Sequence, residues 1–97
     1  MNYKPRTHYL KTRSNIFANL VSGLRTFEYR LNDRDYKVGD TLYLGEWSQD
    51  HMSYTGQSLV AKVTHLLEGG NFGVPEGFVI LGIDVLPHHR EVAGDCN

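Results

Sequence analysis

The sequence predicts a small, mainly β barrel of five strands with one early helix. Short runs alternate apolar and polar side chains, and turn-forming clusters separate them at regular spacing. A single segment, after Ser14, instead carries its apolar residues at helical spacing. The 97 residues make one domain, near the low end of what buries a self-sufficient core without staples or metals. With 40% hydrophobic and 22% charged residues, the composition is that of an ordinary globule and not of a disordered or membrane protein.

Residues 7–12, Thr-His-Tyr-Leu-Lys-Thr, read as the first strand. Ser14 is a candidate N-cap for a helix with Ile16, Phe17, Leu20, Val21 and Leu24 on one stripe, and Gly23 offers a left-handed C-terminal residue. The octet Gly23-Leu24-Arg25-Thr26-Phe27-Glu28-Tyr29-Arg30 then opens the second strand. Strand alternation puts Phe27 and Tyr29 on one face, expected to pack the core, and the polar triplet Thr26, Glu28 and Arg30 on the other. Arg25 sits where the strand begins, so its stem can wrap over the sheet end and return the guanidinium toward Glu28 and Arg30. Alone, Glu28 and Arg30 are equally well an ordinary surface ion pair worth ~0–1 kcal/mol.

Asn32-Asp33-Arg34-Asp35 and Val38-Gly39-Asp40 are turns. A strand is expected from Thr41 to Trp47, a loop from Ser48 to Gln57, and a strand apolar or neutral on both faces from Ser58 to Leu67. Gly69-Gly70-Asn71 breaks it, and the most hydrophobic strand, expected to be central, runs from Phe78 to Leu86. The domain is therefore placed at residues 1–86, with 87–97 a mobile polar tail.

The net charge of −1 hides a division along the chain. Residues 1–37 carry eight basic and three acidic residues, or +5, whereas residues 38–97 carry two basic and eight acidic, or −6. A basic face able to attract a polyanion follows if the first excess is also clustered in space.

The octet resembles the Gly-x-Lys-x-x-Glu-x-Arg signature of ASCH domains, in the PUA-like superfamily, through Gly23, Glu28 and Arg30, with Arg25 replacing the lysine. His8-x-Leu10-Lys11, Asn32-Asp33-Arg34, Val38-Gly39-Asp40 and Tyr54-Thr55-Gly56 extend the likeness to small ASCH-like proteins of bacteria and phages, from about His8 to Ile83. The resemblance implies an α+β, mainly β pseudo-barrel of five or six strands with one or two short helices at its ends. It also implies a cleft beside the signature strand that binds RNA or a nucleotide-like ligand.

The residues suit such a ligand. A guanidinium fork makes two parallel charge-assisted bonds to phosphate, and Arg25, Arg30 and Arg34 lie close in sequence, with Lys11 as a fourth positive charge. Glu28 can orient the arginines, accept from a base edge or ribose hydroxyl, or act as a general base. Thr26 and Asn32 complete the expected ligand set, although Asn32-Asp33-Arg34 is equally a plain Asx turn. Tyr29, Tyr36, Trp47 and Tyr54 are candidate stacking surfaces for unpaired bases; Tyr29, like Phe27, is first of all a core residue.

The leading expectation is a binding module for single-stranded RNA or a nucleotide. A hydrolase acting on RNA or a modified nucleoside is the alternative, with Glu28, Lys11 and His8 as catalytic candidates. His8, Glu28 and Arg30 make an acid-base set if the first two strands pair. ASCH proteins that hydrolyse acylated cytidine use a lysine and a threonine where this chain has Arg25 and Glu28. A guanidinium stays protonated and cannot play the part of a neutral amine, so enzymatic activity is not the first expectation. A small protein-interaction module, using the acidic half, is the third reading.

No cofactor or metal is expected: His51 and His65 stand alone, and His88-His89 are adjacent without ligand spacing. The single cysteine, Cys96, can form neither an internal disulfide nor a cysteine-based zinc site. No apolar run approaches the roughly 18 residues of a spanning helix. The first residues lack the apolar core of a signal peptide, so a cytoplasmic location and no membrane partner are expected.

Overall fold

The computed structural model describes residues 3–87. In chain order the elements are β1 (Thr7–Arg13), α1 (Ser14–Ser22), β2 (Phe27–Leu31), β3 (Thr41–Ser48), β4 (Ser53–Glu68) and β5 (Phe78–Val85). They form a curled, five-stranded half-barrel in the order β1-β3-β4-β5-β2. β1 runs parallel to β3 and every other pair is antiparallel. The first two strands are therefore the two edges of the sheet, and α1 lies against β1 and β3. The expected mobile tail, with His88-His89 and Cys96, lies outside the described residues, apart from Pro87, two residues past β5.

The concave side holds the core. Leu10, Phe17, Leu20, Tyr36, Leu42, Leu44, Leu59, Ala61, Val63, Val79, Leu81 and Ile83 are buried together. The odd residues of β4 before the bulge, Leu59, Ala61 and Val63, point inward, while Lys62 and Thr64 are exposed. A register shift between Val63 and His65 bends β4 across β5. The bulged backbone needs Gly82 opposite, where a Cβ would lie 3.1 Å from that of His65 and 3.2 Å from the Thr64 hydroxyl.

Several expectations change. Ser53–Gln57 belongs to β4 instead of a loop, because Ser53 and Tyr54 pair with Ser48 and Trp47 across a tight turn. β4, not β5, is the central strand, with β3 and β1 on one side and β5 and β2 on the other. Arg13 takes the N-cap position without a side-chain cap, and Ser14 is the first helical residue, its hydroxyl donating to the Trp47 carbonyl at 3.3 Å. Gly23 does end the helix in the left-handed conformation, φ 86°, with its amide bonded to the Leu20 carbonyl. That turn carries Leu24 off the apolar stripe into solvent, and Val21 is also exposed.

The largest correction concerns β2. Its alternation is real, but its faces are the reverse of the expectation: Glu28 is only 3% exposed while Phe27 and Tyr29 are 43% and 47% exposed. Register against β5 is the cause. Glu28 pairs with Leu81 and Arg30 with Val79, both inward-facing, whereas Phe27, Tyr29 and Leu31 pair with Gly82, Ile80 and Phe78. Cross-strand partners share a face, so the polar residues are carried inside. Outside, the Tyr29 ring stacks on Phe78 at 5.5 Å.

Candidate ligand cleft between the sheet edges

The inward-facing charges of β2 meet β1 across the open side of the half-barrel. Tyr9 and Lys11 turn their carbonyls away from β3 at this edge, where Arg34 Nη1 donates to the first at 3.1 Å and Arg30 Nη2 to the second at 2.7 Å. Arg30 Nη2 also reaches the Thr12 hydroxyl at 3.3 Å. Two guanidiniums thus staple edges that share no strand pairing. Between them lies a cleft of about 350 Å³ lined by residues of β1, α1, β2 and the turn after β2.

Glu28 is one of the residues that line this cleft. One carboxylate oxygen, Oε1, accepts from Arg30 Nε at 2.7 Å. The other, Oε2, is buried without a hydrogen-bond partner, and Arg25 Nη2 lies 4.0 Å from it. Leaving a buried acceptor unmatched costs roughly 1–3 kcal/mol, more when it is charged, so such an atom calls for an explanation. Arg25 is held from the side, its Nε donating to the Phe27 carbonyl at 2.9 Å and its guanidinium lying 4.4 Å from the Phe27 ring centre. Its stem does wrap back toward Glu28, as the sequence suggested.

The lining includes four arginines, Arg13, Arg25, Arg30 and Arg34, and part of Lys11, against Glu28 and Asp33. The basic excess of the first third of the chain is therefore concentrated in space. Tyr36 also lines the cleft; burial pushes its phenol pKa up, so it stays protonated and able to donate at neutral pH.

Of the residues singled out from the sequence, Arg25, Glu28, Arg30 and Arg34 converge here. Lys11 contributes its backbone, but its ammonium lies on the other face of β1, 3.8 Å from the Trp47 ring centre. Thr26 is exposed outside this cleft, and its carbonyl accepts from Ile83 in the β5 ladder. Asn32 closes the turn, its side-chain oxygen accepting from the Tyr36 amide at 3.4 Å. The set His8, Glu28 and Arg30 is not assembled. β1 and β2 do not pair, and His8 Nε2 lies 2.7 Å from Asp40 Oδ2 instead.

Asp40, read from the sequence only as a turn residue, is fully buried and is the hub of a second network. It also accepts from the Tyr3 hydroxyl at 2.7 Å and from the amides of Arg6 and Lys37 at 3.1 and 3.0 Å. Burial alone would raise its pKa, but the bonds from His8, Tyr3 and the two amides outweigh it and lower the value to about 2. The network pins the first residues of β1 to the turn before β3; His8 meets Tyr36 edge-on at 4.8 Å, which connects it to the cleft wall. Among the described residues, no group of three or more His, Cys, Asp or Glu side chains is placed to hold a metal ion. No described helix is long and apolar enough to cross a membrane.

Fold and cleft together define a small, mainly β half-barrel with a basic seam built around a buried carboxylate. The chain belongs to the family described as Domain of unknown function (DUF3850), whose profile matches residues 7–83, from the first residue of β1 into β5. It is also similar to an "Uncharacterized 12.9 kDa protein in GpA 3'region" of Escherichia phage P2, with 33% identity over 63 residues. That match covers 65% of this chain and 56% of the phage protein, so the chain spans little more than half the length of that relative.

Proposed function

We propose that the seam cleft binds the phosphate and base or ribose of a nucleotide unit, as part of a module for single-stranded RNA or a free nucleotide. The observation that carries this reading is the pairing of the partnerless Oε2 of Glu28 with three surrounding guanidiniums. A ligand with both hydrogen-bond donors and an anion suits that combination: an exocyclic amine or ribose hydroxyl donates to Glu28, and the phosphate takes the unused forks of Arg25 and Arg34. A purely anionic ligand would be repelled by Glu28, and a purely cationic one by the arginines. The ASCH-like motif set adds to the same reading, and Arg25 in place of lysine favours gripping an anion.

Fluorescence anisotropy with an unstructured, mixed-sequence RNA of about 12 nucleotides, a length within the site sizes of single-strand binding folds, is the direct test. Competition by the four ribonucleoside monophosphates reports the free-nucleotide form. Arg25→Ala is the first variant, because Arg25 makes no bond across the seam; about a tenfold loss of affinity is expected with the melting temperature unchanged. Wild-type affinity in both this variant and Glu28→Gln would overturn the reading.

A hydrolytic use of the cleft has one observation in its favour, that Glu28 Oε2 is unpartnered and so free to take a proton. Incubation with RNA and acylated nucleosides, followed by mass spectrometry of products, decides it. Turnover that Glu28→Gln abolishes supports hydrolysis, and none at high protein concentration removes it.

A further inference from the structure

The face of the sheet opposite the core carries a second feature that the cleft does not use. Outward residues of β1 and β3 pair as Tyr9 with Tyr43, Lys11 with Gly45 and Arg13 with Trp47, and β4 adds Tyr54 opposite Trp47. Gly45 thus leaves a gap in the middle of an aromatic field. The Tyr54 ring leans over it, so closely that a Cβ on Gly45 would lie 3.2 Å from that ring. Tyr9 and Tyr43 close the other wall with ring centres 5.3 Å apart, and the slot so formed measures about 270 Å³. That is below the ~300–1,000 Å³ of sites that enclose a whole small molecule, and suits one planar group instead. The walls are open to solvent, Tyr9 being 67% and Tyr54 58% exposed.

We propose that this slot stacks one unpaired base of the same single-stranded RNA whose neighbouring nucleotide occupies the seam cleft. Charge complementarity and continuity select this occupant. Lys11 holds its ammonium over Trp47 beside the slot while its backbone borders the cleft, and Arg13 lines the cleft from the last position of the same strand. A phosphodiester backbone passing over β1 therefore meets positive charge between the two sites. The nearby carboxylate of Glu46 is occupied by the Thr55 hydroxyl at 2.8 Å. Aromatic rings flanked by cations are the usual means of holding bases without reading their sequence. Because β1 is an edge strand only one strand thick, cleft and slot lie on its two sides, and only a linear, flexible ligand can occupy both.

The inference rests on the single-strand form of the cleft reading, and the experiment separates the two. Tyr9→Ala and Tyr54→Ala change exposed rings outside the cleft; circular dichroism and thermal melting confirm the fold. Each is expected to weaken the RNA of about 12 nucleotides by roughly 5- to 150-fold, the loss typical of one stacked base, while leaving monophosphate binding unchanged. Trp47, the one tryptophan of the chain, reports occupancy directly, since RNA but not a monophosphate should quench it. Wild-type RNA affinity and unquenched Trp47 overturn the slot and leave the cleft standing, provided Arg25→Ala still weakens RNA. RNA binding that responds to the tyrosine variants but not to Arg25→Ala or Glu28→Gln removes the cleft and with it the proposed path over β1. A concentration-dependent dimer, seen by light scattering and lost in Tyr54→Ala, would assign the face to a second copy and also overturn the proposal.

Discussion

Glu28 and Asp40 are both carboxylates in the interior, and their surroundings give them opposite roles. Asp40 has both oxygens matched and serves the fold. Its pKa in the folded chain, about 2, lies below the ordinary value of 3.8, so it contributes stability above pH ~4 and loses that contribution as the pH falls toward ~2. The contribution is of the order of 2 kcal/mol. Urea denaturation at about pH 5 and about pH 2.5 should show that loss, and Asp40→Asn should be less stable at pH 5 and flatten the difference between them. Glu28 has one oxygen matched and one not, which is costly for the fold and, in the proposed function, available to a ligand. Glu28→Gln keeps the shape and one bond to Arg30, whose guanidinium also holds Lys11 and Thr12, so the fold is expected to survive with a loss of no more than about 3 kcal/mol. Affinity for RNA should nevertheless fall roughly tenfold or more, because a charged acceptor is lost. Loss of the fold in Glu28→Gln, measured by the same urea titration, would make Glu28 structural.

Among the elements, the β4–β5 connection depends on a close approach that the sequence only hints at. The Gly69 amide donates to the Phe78 carbonyl at 2.8 Å, and a Cβ there would lie 2.0 Å from the Pro75 carbonyl oxygen. Backbone on that side cannot yield as a flexible side chain would. Gly69→Ala should therefore cost about 3 kcal/mol or more by chemical denaturation. Helix α1 was legible from its stripe and its terminal glycine, but the end at Gly23 sets more than its length. It releases the chain so that Arg25 reaches the cleft from the start of β2, tied by its amide to the Asn19 carbonyl at 3.0 Å. In β2 the alternation was legible and the face was not. An alternating pentapeptide fixes which residues share a side, whereas the partner strand's register decides which side is in.

At the scale of the whole molecule, the curl of the sheet brings its two edges within reach of long side chains, and the chain uses arginines there instead of backbone pairing. A net charge of −1 would make the protein a poor general binder of polyanions, so any RNA affinity must come from the local basic seam. With Arg25 and Arg34 gripping one phosphate, and further phosphates passing Lys11 and Arg13, the slope of log K against log salt should be steeper than about −0.7, the value for one phosphate of a single strand. A slope near zero, from anisotropy titrations at several salt concentrations, would exclude the seam as the phosphate contact.

By itself the sequence determined the one-helix, five-strand composition, most element boundaries, and a candidate set, Lys11, Arg25, Thr26, Glu28, Arg30, Asn32 and Arg34, that contains the four side chains meeting in the cleft. Each of those rests on local periodicity, turn chemistry or residue spacing, which neighbours along the chain impose. The tertiary structure alone decided that β1 and β2 are opposite edges, that Glu28 faces inward with an oxygen to spare, and that Lys11 turns away to Trp47. It also paired His8 with Asp40 rather than with Glu28. These depend on strand order, register and the curl of the sheet, contacts between residues far apart in sequence that no local pattern encodes.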